Sequence, residues 1–387
     1  MADVAASLRK PSIALPPGEF RPGLSALLER APPNTLTGYT FFSIPANQPP
    51  WFDTCLDLRA GEHITVLAVG SAILTSELVF YPDMQLWYRV GATGTVFRGT
   101  RQSHSFTASD PGRLYFGSYF PGEWGTRTGS VTVGTDAYRQ MQGGLEVLVL
   151  RWAVEPLEGL KRILTAGDVG SLLTSEIDRL QNAIAPPPGW EYLWWLGQSE
   201  IYGVGPPSPA ERPSITCYTH GDAAILHKDV CVPLSHDTRL CWSWKMEALP
   251  CQLAENTLES HDYLSVAVEF DNGQDLAFFW SSQLPVDTGF RCPIPTWTAR
   301  ETHVVARTGS ALLGRWVDDE RPLHTYYERF VGTIGKRDDG NDPRVVAPPT
   351  QITRVWLIAN SMFKRQPGRC EYGAIEIQAQ GKIIRVN

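Results

Sequence analysis

Apolar segments in this chain are short, and proline or glycine closes nearly every one of them. The 387 residues include 34 Gly and 30 Pro but only 19% charged side chains. Proline fixes φ and removes a backbone donor, and glycine favours tight turns. Such punctuation argues against long solvated helices and for many short strands. The length favours two or three domains over one.

The runs themselves give the organisation. Prolines from Pro11 to Pro50 break residues 1–50 into an arm expected to pack over a domain, with one short helix near Leu24–Arg30. Residues 51–154 read as β. In His63–Val69 nearly every residue is apolar, as in a strand covered on both faces. Leu86–Val90, Leu114–Phe120, Val131–Val133 and Leu145–Leu150 follow as further strands. Over residues 155–189 the period becomes helical. Pro156 opens a first stripe that Gly167 ends, and Asp168 caps a second containing Leu172, Leu173, Ile177 and Leu180. This segment is expected to be a helical linker. Residues 190–387 return to β, with strands at Leu240–Met246, Tyr263–Phe270, Leu276–Trp280, Val304–Arg307, Arg354–Ala359 and Tyr372–Ile377. A helix is expected within Trp316–Phe330. The fold class is therefore all-β: two β-sandwich or jelly-roll domains joined by a short helical linker.

Composition removes several functions. The net charge is −7 and no Lys/Arg cluster occurs, which speaks against nucleic acid. No apolar run has the length of a membrane span. Met1–Lys10 lacks an apolar secretory core, and the seven Cys form no C-x-x-C pair, which suits reduced thiols and a cytoplasmic location. Phosphate-loop, dinucleotide, H-E-x-x-H and G-x-S-x-G motifs are absent, so no cofactor and no metal ligand are expected.

The candidate site comes from strand parity. His261, Tyr263, Ser265 and Glu269 share one face of their strand, Lys245 lies opposite the Trp242/Trp244 face, and Arg307 shares a face with His303. If these faces line one concave sheet, His261 or Glu269 would act as base and Tyr263 as acid. Arg307 or Lys245 would stabilise an oxyanion. Ordinary solvent-facing strand residues explain the same pattern, and polar outer faces are the default of antiparallel sheets. Asp262 cannot orient His261, because neighbours on a strand point oppositely. His220-Gly221-Asp222 is either a turn or a pair facing a cleft. Trp124, Trp194, Trp195 and Trp280 are candidate aromatic walls for a ligand, with core or interface packing as the other reading. Trp316–His324 carries Asp318, Asp319 and Glu320, a cation site or an acidic helix start.

Two resemblances accompany these readings. Ala60–Gly70, Leu86–Gly91 and Gly117–Val133 resemble the PA-I type of galactose-binding bacterial lectin, which implies a jelly-roll-like sandwich. That family holds calcium through Asp and Asn side chains in the last of these loops. Tyr119, Thr126 and Arg127 stand there in this chain, so neither calcium nor galactose binding is carried over. The second domain is similar to a bacterial family of uncharacterised function. The resemblance rests on Leu240–Lys245, His261–Tyr263, Val305–Gly309, Trp316–Arg321, Tyr326-Tyr327 and Cys370–Ile375. It implies a jelly roll and no activity. Two functions follow. One is a cofactor-independent enzyme acting on a small, partly hydrophobic molecule by lyase, hydratase, isomerase or hydrolase chemistry. The other is a non-catalytic, lectin-like carbohydrate-binding or assembly protein. Either is compatible with a homo-oligomer.

Overall fold

In His63–Val69 both parities are apolar. Ile64, Val66 and Ala68 alternate with Thr65, Leu67 and Val69, and all six are buried. A strand of this kind needs cover on each side. In a computed structural model the cover is a second sheet on one face and helices on the other. The structure describes residues 15–75, 78–122, 124–132, 134–332 and 347–387. Met1–Lys10, Pro11 and Val133, named above, lie outside them.

The described residues fall into two compact units. One holds the described part of Lys10–Ile184 together with Trp194–Ser199, the other Ala185–Leu193 and Glu200–Asn387. The first contains helix α1 (Pro17–Leu28) and strands β1 (Leu36–Pro45), β2 (Phe52–Leu58), β3 (His63–Thr75), β4 (Leu78–Phe80), β5 (Leu86–Val90), β6 (Phe97–Arg98), β7 (Ser103–Thr107), β8 (Gly112–Ser118) and β9 (Gln142–Trp152). Helices α2 (Pro156–Leu164) and α3 (Leu172–Gln181) follow. A five-stranded sheet runs β1-β9-β3-β4 with β7 also on β3, and a four-stranded sheet runs β2-β8-β5-β6. Between them Ile64, Val66, Leu114, Phe116, Val147 and Val149 form one core. On the other face of the larger sheet, Leu67, Val69, Leu148, Leu150 and Trp152 pack under Phe20, Leu24, Leu160, Ile163 and Leu173 of the helices.

Two expectations change here. The helical pair is not a linker: it is the third layer of the first unit. Its local signals are as expected. Pro156 stands in the first turn of α2, Gly167 has φ +131°, and the Asp168 carboxylate accepts the Leu173 and Thr174 N–H groups at the start of α3. Helical period reports which face is apolar but not what covers it. The Pro-rich start is no arm laid over a domain either. Leu36–Pro45 is β1, hydrogen-bonded along β9, and Pro17 opens α1, where its missing N–H would be unpaired in any case.

The second unit contains β10 (Glu191–Tyr192), β11 (Tyr202–Pro207), β12 (Pro213–His220), β13 (Ala223–Pro233), β14 (Arg239–Ala248), β15 (Tyr263–Phe270), β16 (Asp275–Ser281), β17 (Gly289–Arg291), β18 (Glu301–Thr308), β19 (Trp316–Pro322), β20 (Gln351–Asn360), β21 (Pro367–Ala379) and β22 (Lys382–Arg385). A seven-stranded sheet runs β10-β13-β20-β15-β16-β18-β17, and a six-stranded sheet runs β11-β12-β21-β14-β19 with β22 on β21. Leu240, Trp242, Trp244 and Met246 of β14 meet Val266, Val268, Phe278 and Trp280 in the core between the two sheets. Both units are β-sandwiches. The helix expected over Trp316–Phe330 is a strand up to Pro322, and only Leu323–Val331 is helical. Trp316, Asp318 and Glu320 alternate with Val317, Asp319 and Arg321, and that two-residue period decides for a strand.

Gly159 lies on the buried face of α2, where an added Cβ would sit 2.2 Å from the Trp152 ring. Alanine normally stabilises a helix over glycine. Here the clash should win, so Gly159→Ala should lower stability by about 1–3 kcal/mol in urea unfolding. A stabilised variant would show that the helix does not pack on Trp152.

Candidate functional site

Leu264, Val266, Val268 and Phe270 of β15 point into the sandwich core, so Tyr263, Ser265, Ala267 and Glu269 occupy the other face of the seven-stranded sheet. That face is not a solvated one. Tyr263, Ser265, Asp275, Glu301 and His303 are all buried on it. Strand register sets Asp229, Arg354, Glu269, Asp275 and Glu301 in one row across β13, β20, β15, β16 and β18. Two arginines stitch this row. Arg354 is 2.8 Å from Asp229 and 2.9 Å from Glu269, and Arg300 is 3.3 Å from Glu269 and 2.6 Å from Asp275. The Arg300 guanidinium also lies over the Trp297 and Trp356 rings, 5.6 and 5.2 Å from their centroids.

Beyond Glu301 the row ends in a cluster of His261, Tyr263, Cys292, Glu301 and His303. Their exposures are 0, 4, 1, 2 and 0%. The His261 Nδ1–H donates to the Glu255 carbonyl at 2.7 Å, which leaves Nε2 as the bare nitrogen, 3.5 Å from Cys292 Sγ. Glu255 is held in turn, its carboxylate accepting from Ser281 Oγ and Ser282 N. The Asn360 amide donates to the His261 carbonyl. His303 stacks on Phe290 and meets His261 and Tyr263 edge-on, with centroids 5.4, 4.6 and 4.8 Å away. Its Nε2 is 3.6 Å from Glu301 Oε2, beyond hydrogen-bond length, and neither ring nitrogen has a hydrogen-bond partner among the described residues. The Tyr263 hydroxyl lies 3.4 Å from Glu301 Oε1. Burial, followed by the neighbouring His303 ring, pushes the His261 imidazole down to about 3, so it is neutral. Burial and then the charge of Glu301 raise the Tyr263 phenol and the Cys292 thiol.

Of the expected acid–base set, His261 and Tyr263 meet, and Glu269 stands along the row in its ion pairs. Lys245 and Arg307 go elsewhere. Lys245 is on the six-stranded sheet, paired with Glu371 and Glu247. Arg307 leaves the face of His303 because β18 carries an irregularity between Val305 and Arg307, which reverses the parity beyond it. It pairs with Asp319 at 2.8 Å. Asp262 does not orient His261: its carboxylate accepts the Phe363 and Lys364 N–H groups. His220 and Asp222 form a turn around Gly221 (φ +70°), with Asp222 accepting from Thr219 Oγ1 and His220 N.

Of the expected aromatic walls, Trp280 and Trp124 are buried in packing, while Trp194 and Trp195 are half-buried. Trp280 lies in the core beside Trp244 and donates to the Gly309 carbonyl, and Trp124 is buried against Trp51. Trp194 and Trp195 belong to the first unit, where Arg127 covers Trp194 and the Trp195 carbonyl accepts from Gly122. Tyr119 is buried, and the Thr126 hydroxyl is shared with Thr128 and Ser130, so neither offers a carboxylate to a cation. Sequence reasoning missed Cys292 and Glu301, and took His303 only as a neighbour of Arg307. The shared parity of Glu301 and His303 was the signal available for two of them.

A second feature lies on the outer face of the six-stranded sheet. A groove of about 310 Å³ is lined by Cys241, Ser243, Asp318, Glu320, Ala374, Glu376 and Gln378. Register places Ser243 beside Asp318, Cys241 between Glu320 and Glu376, and Lys245 between Trp316 and Glu371. Asp318 and Glu320 are exposed, and Trp316 is half-buried. Gly373 makes room here, since a Cβ would meet Ser243 Oγ at 2.2 Å and the Trp316 ring at 2.9 Å.

Residues 207–376 match a family described as "Protein of unknown function (DUF3047)". No curated protein matches the chain. Among solved structures, the chain is similar to the EclA N-terminal domain, a PllA-like lectin, at 20% identity over 30% of this chain and 98% of that one, with a TM-score of 0.23. It is similar to the xyloglucanase domain of NopAA from Sinorhizobium fredii at 10% identity over 51% of this chain and 96% of that one, TM-score 0.28. A tandem pair of CBM22 domains from Paenibacillus barcinonensis is similar at 10% identity over 91% and 96%, TM-score 0.22.

Removing the Arg300 guanidinium should leave Asp275, whose side chain is 0% exposed and whose carboxyl is already pushed up to about 8 by burial, as a buried polar group without its partner. Arg300→Leu should therefore cost about 3–5 kcal/mol in urea unfolding. Adding Asp275→Leu should recover much of the loss. A double variant no more stable than the single one would show that the pair is not what holds this face.

Proposed function

We propose that this protein binds a carbohydrate without transforming it, and that the groove on the six-stranded sheet is the binding face. The reading is carried by the groove's composition: the carboxylates of Asp318, Glu320 and Glu376 and the side-chain amide of Gln378 line it, and the half-buried Trp316 stands two residues before Asp318 on β19. Carboxylates accept hydrogen bonds from sugar hydroxyls, an amide both donates and accepts, and an indole face suits the C–H side of a pyranose ring. A volume near 310 Å³ is at the small end of ligand sites and suits one or two sugar units. Acidic lining favours neutral or amino sugars over uronic acids.

The acid–base reading has less support. His261 and Tyr263 are sealed at 0 and 4% exposure, Glu269 is engaged by two arginines, and Lys245 and Arg307 are on other faces. A general acid or base must come within hydrogen-bond reach of its substrate.

The test is titration of the full chain with neutral, amino and acidic oligosaccharides on a glycan array, followed by calorimetry on the best ligand. Asp318→Asn and Trp316→Ala should each weaken binding by about tenfold or more, about 1.4 kcal/mol. No glycan binding, or binding indifferent to both substitutions, would rule the groove out.

A further inference from the structure

We propose that His261, Cys292 and His303, with Glu301, form a buried binding site for one divalent transition-metal ion, zinc or a close equivalent. The metal-type atoms of the three residues lie within 4.8 Å of one another. In a tetrahedral site with metal–nitrogen bonds of ~2.0 Å and a metal–sulfur bond of ~2.3 Å, nitrogen and sulfur are roughly 3.5 Å apart. His261 Nε2 and Cys292 Sγ are separated by 3.5 Å.

Three further observations support it. His303 is 0% exposed and both its ring nitrogens lack a hydrogen-bond partner among the described residues, whereas buried polar atoms are nearly always satisfied. A metal bond to Nε2 would satisfy the nitrogen that faces Glu301. His261 already has the outer-shell arrangement of a metal ligand, with Nδ1–H bonded to a backbone carbonyl and Nε2 turned to the Cys292 sulfur. Charge also balances: a dication, one thiolate, one carboxylate and two neutral imidazoles sum to zero, which a site this deeply buried requires. On binding, the Cys292 S–H bond is replaced by a sulfur–metal bond and the proton leaves to solvent. Phe290, Phe279 and Tyr263 ring His303 and keep the site apolar.

The donor set points to a borderline ion and not to calcium or magnesium, which take oxygen ligands. His261, Cys292 and His303 are the three clustered donors; with the Glu301 carboxylate, 3.6 Å from His303 Nε2, completing the set, no position stays open and the ion's role is structural. It ties the segment before β15, the segment after β17 and β18 into one unit. The proposal does not depend on the groove.

The experiment uses the full chain produced in medium supplemented with Zn(II) or with Co(II). About one ion per chain is expected by elemental mass spectrometry. The cobalt form should show tetrahedral visible bands and a thiolate-to-cobalt band in the near ultraviolet. Cys292→Ser should remove the thiolate band, and His303→Gln should cut the metal content at least tenfold, while Cys251→Ser retains both. If the site variants fail to fold, the unsubstituted chain decides. A content below about a tenth of an ion per chain, or a cobalt spectrum without the sulfur band, overturns the proposal.

Discussion

Arg300 is the group on which the outer face of the seven-stranded sheet depends. Strand register brings Glu269, Asp275 and Glu301 into one row, and Asp275 has no exposure to water. Carboxylates at neighbouring positions on a sheet repel, and a buried anion without a partner is among the costliest features a fold can hold. Arg300 answers both demands. Its fork spans Glu269 and Asp275 while its plane rests on Trp297 and Trp356. A lysine has one point charge and could not make the same set of contacts. With Glu269 and Asp275 held by Arg300, the sheet can be closed over, and Cys292 and Trp297 are packed inside with it.

The sequence announces strands better than it announces cover. His63–Val69 reads correctly as a strand buried on both faces, because apolar residues at both parities have one physical meaning. The same logic could not say that the cover on one face would be α1, α2 and α3, since an amphipathic helix is equally consistent with a linker and with a layer. Proline-based reasoning failed at residues 1–50 for a related reason. Pro17 and Pro45 stand at the start of an element and at the end of one, which a proline tolerates, so density of prolines is a poor guide without position. Parity does not explain the meeting of His261 and Tyr263, because His261 precedes β15, just after the turn Leu258–Ser260 and with φ −79° and ψ 51°, and reaches the Tyr263 ring from there. Parity also failed at Arg307, where an irregularity of β18 turns the strand over, and a one-residue slip of that kind cannot be read from residue types.

The polar groups around His261 show why chemical type is not enough to assign catalysis. A histidine, a tyrosine and a carboxylate within contact distance satisfy the usual inventory of acid–base residues. What they lack is access. Their neighbours Phe290, Phe279 and Cys292 close the face, and the imidazole of His261 is committed through Nδ1 to the Glu255 carbonyl. An enzyme keeps one side of such a set open to its substrate, whereas a structural polar core closes every side.

The six-stranded sheet obeys the opposite rule. Its inner residues Trp242 and Trp244 are buried, yet the alternate positions Cys241 and Ser243 line a shallow groove. Gly373 packs beside it, where an added Cβ would meet Ser243 Oγ at 2.2 Å and the Trp316 ring at 2.9 Å. The two sheets of one sandwich therefore divide the work by cover alone. Where loops fold back over a polar face, charges must pair internally and the face becomes part of the scaffold. Where the face is left open, carboxylates pair as well, Glu320 with Arg239 and Glu376 with Arg212, but Asp318 and Glu320 keep an exposed side.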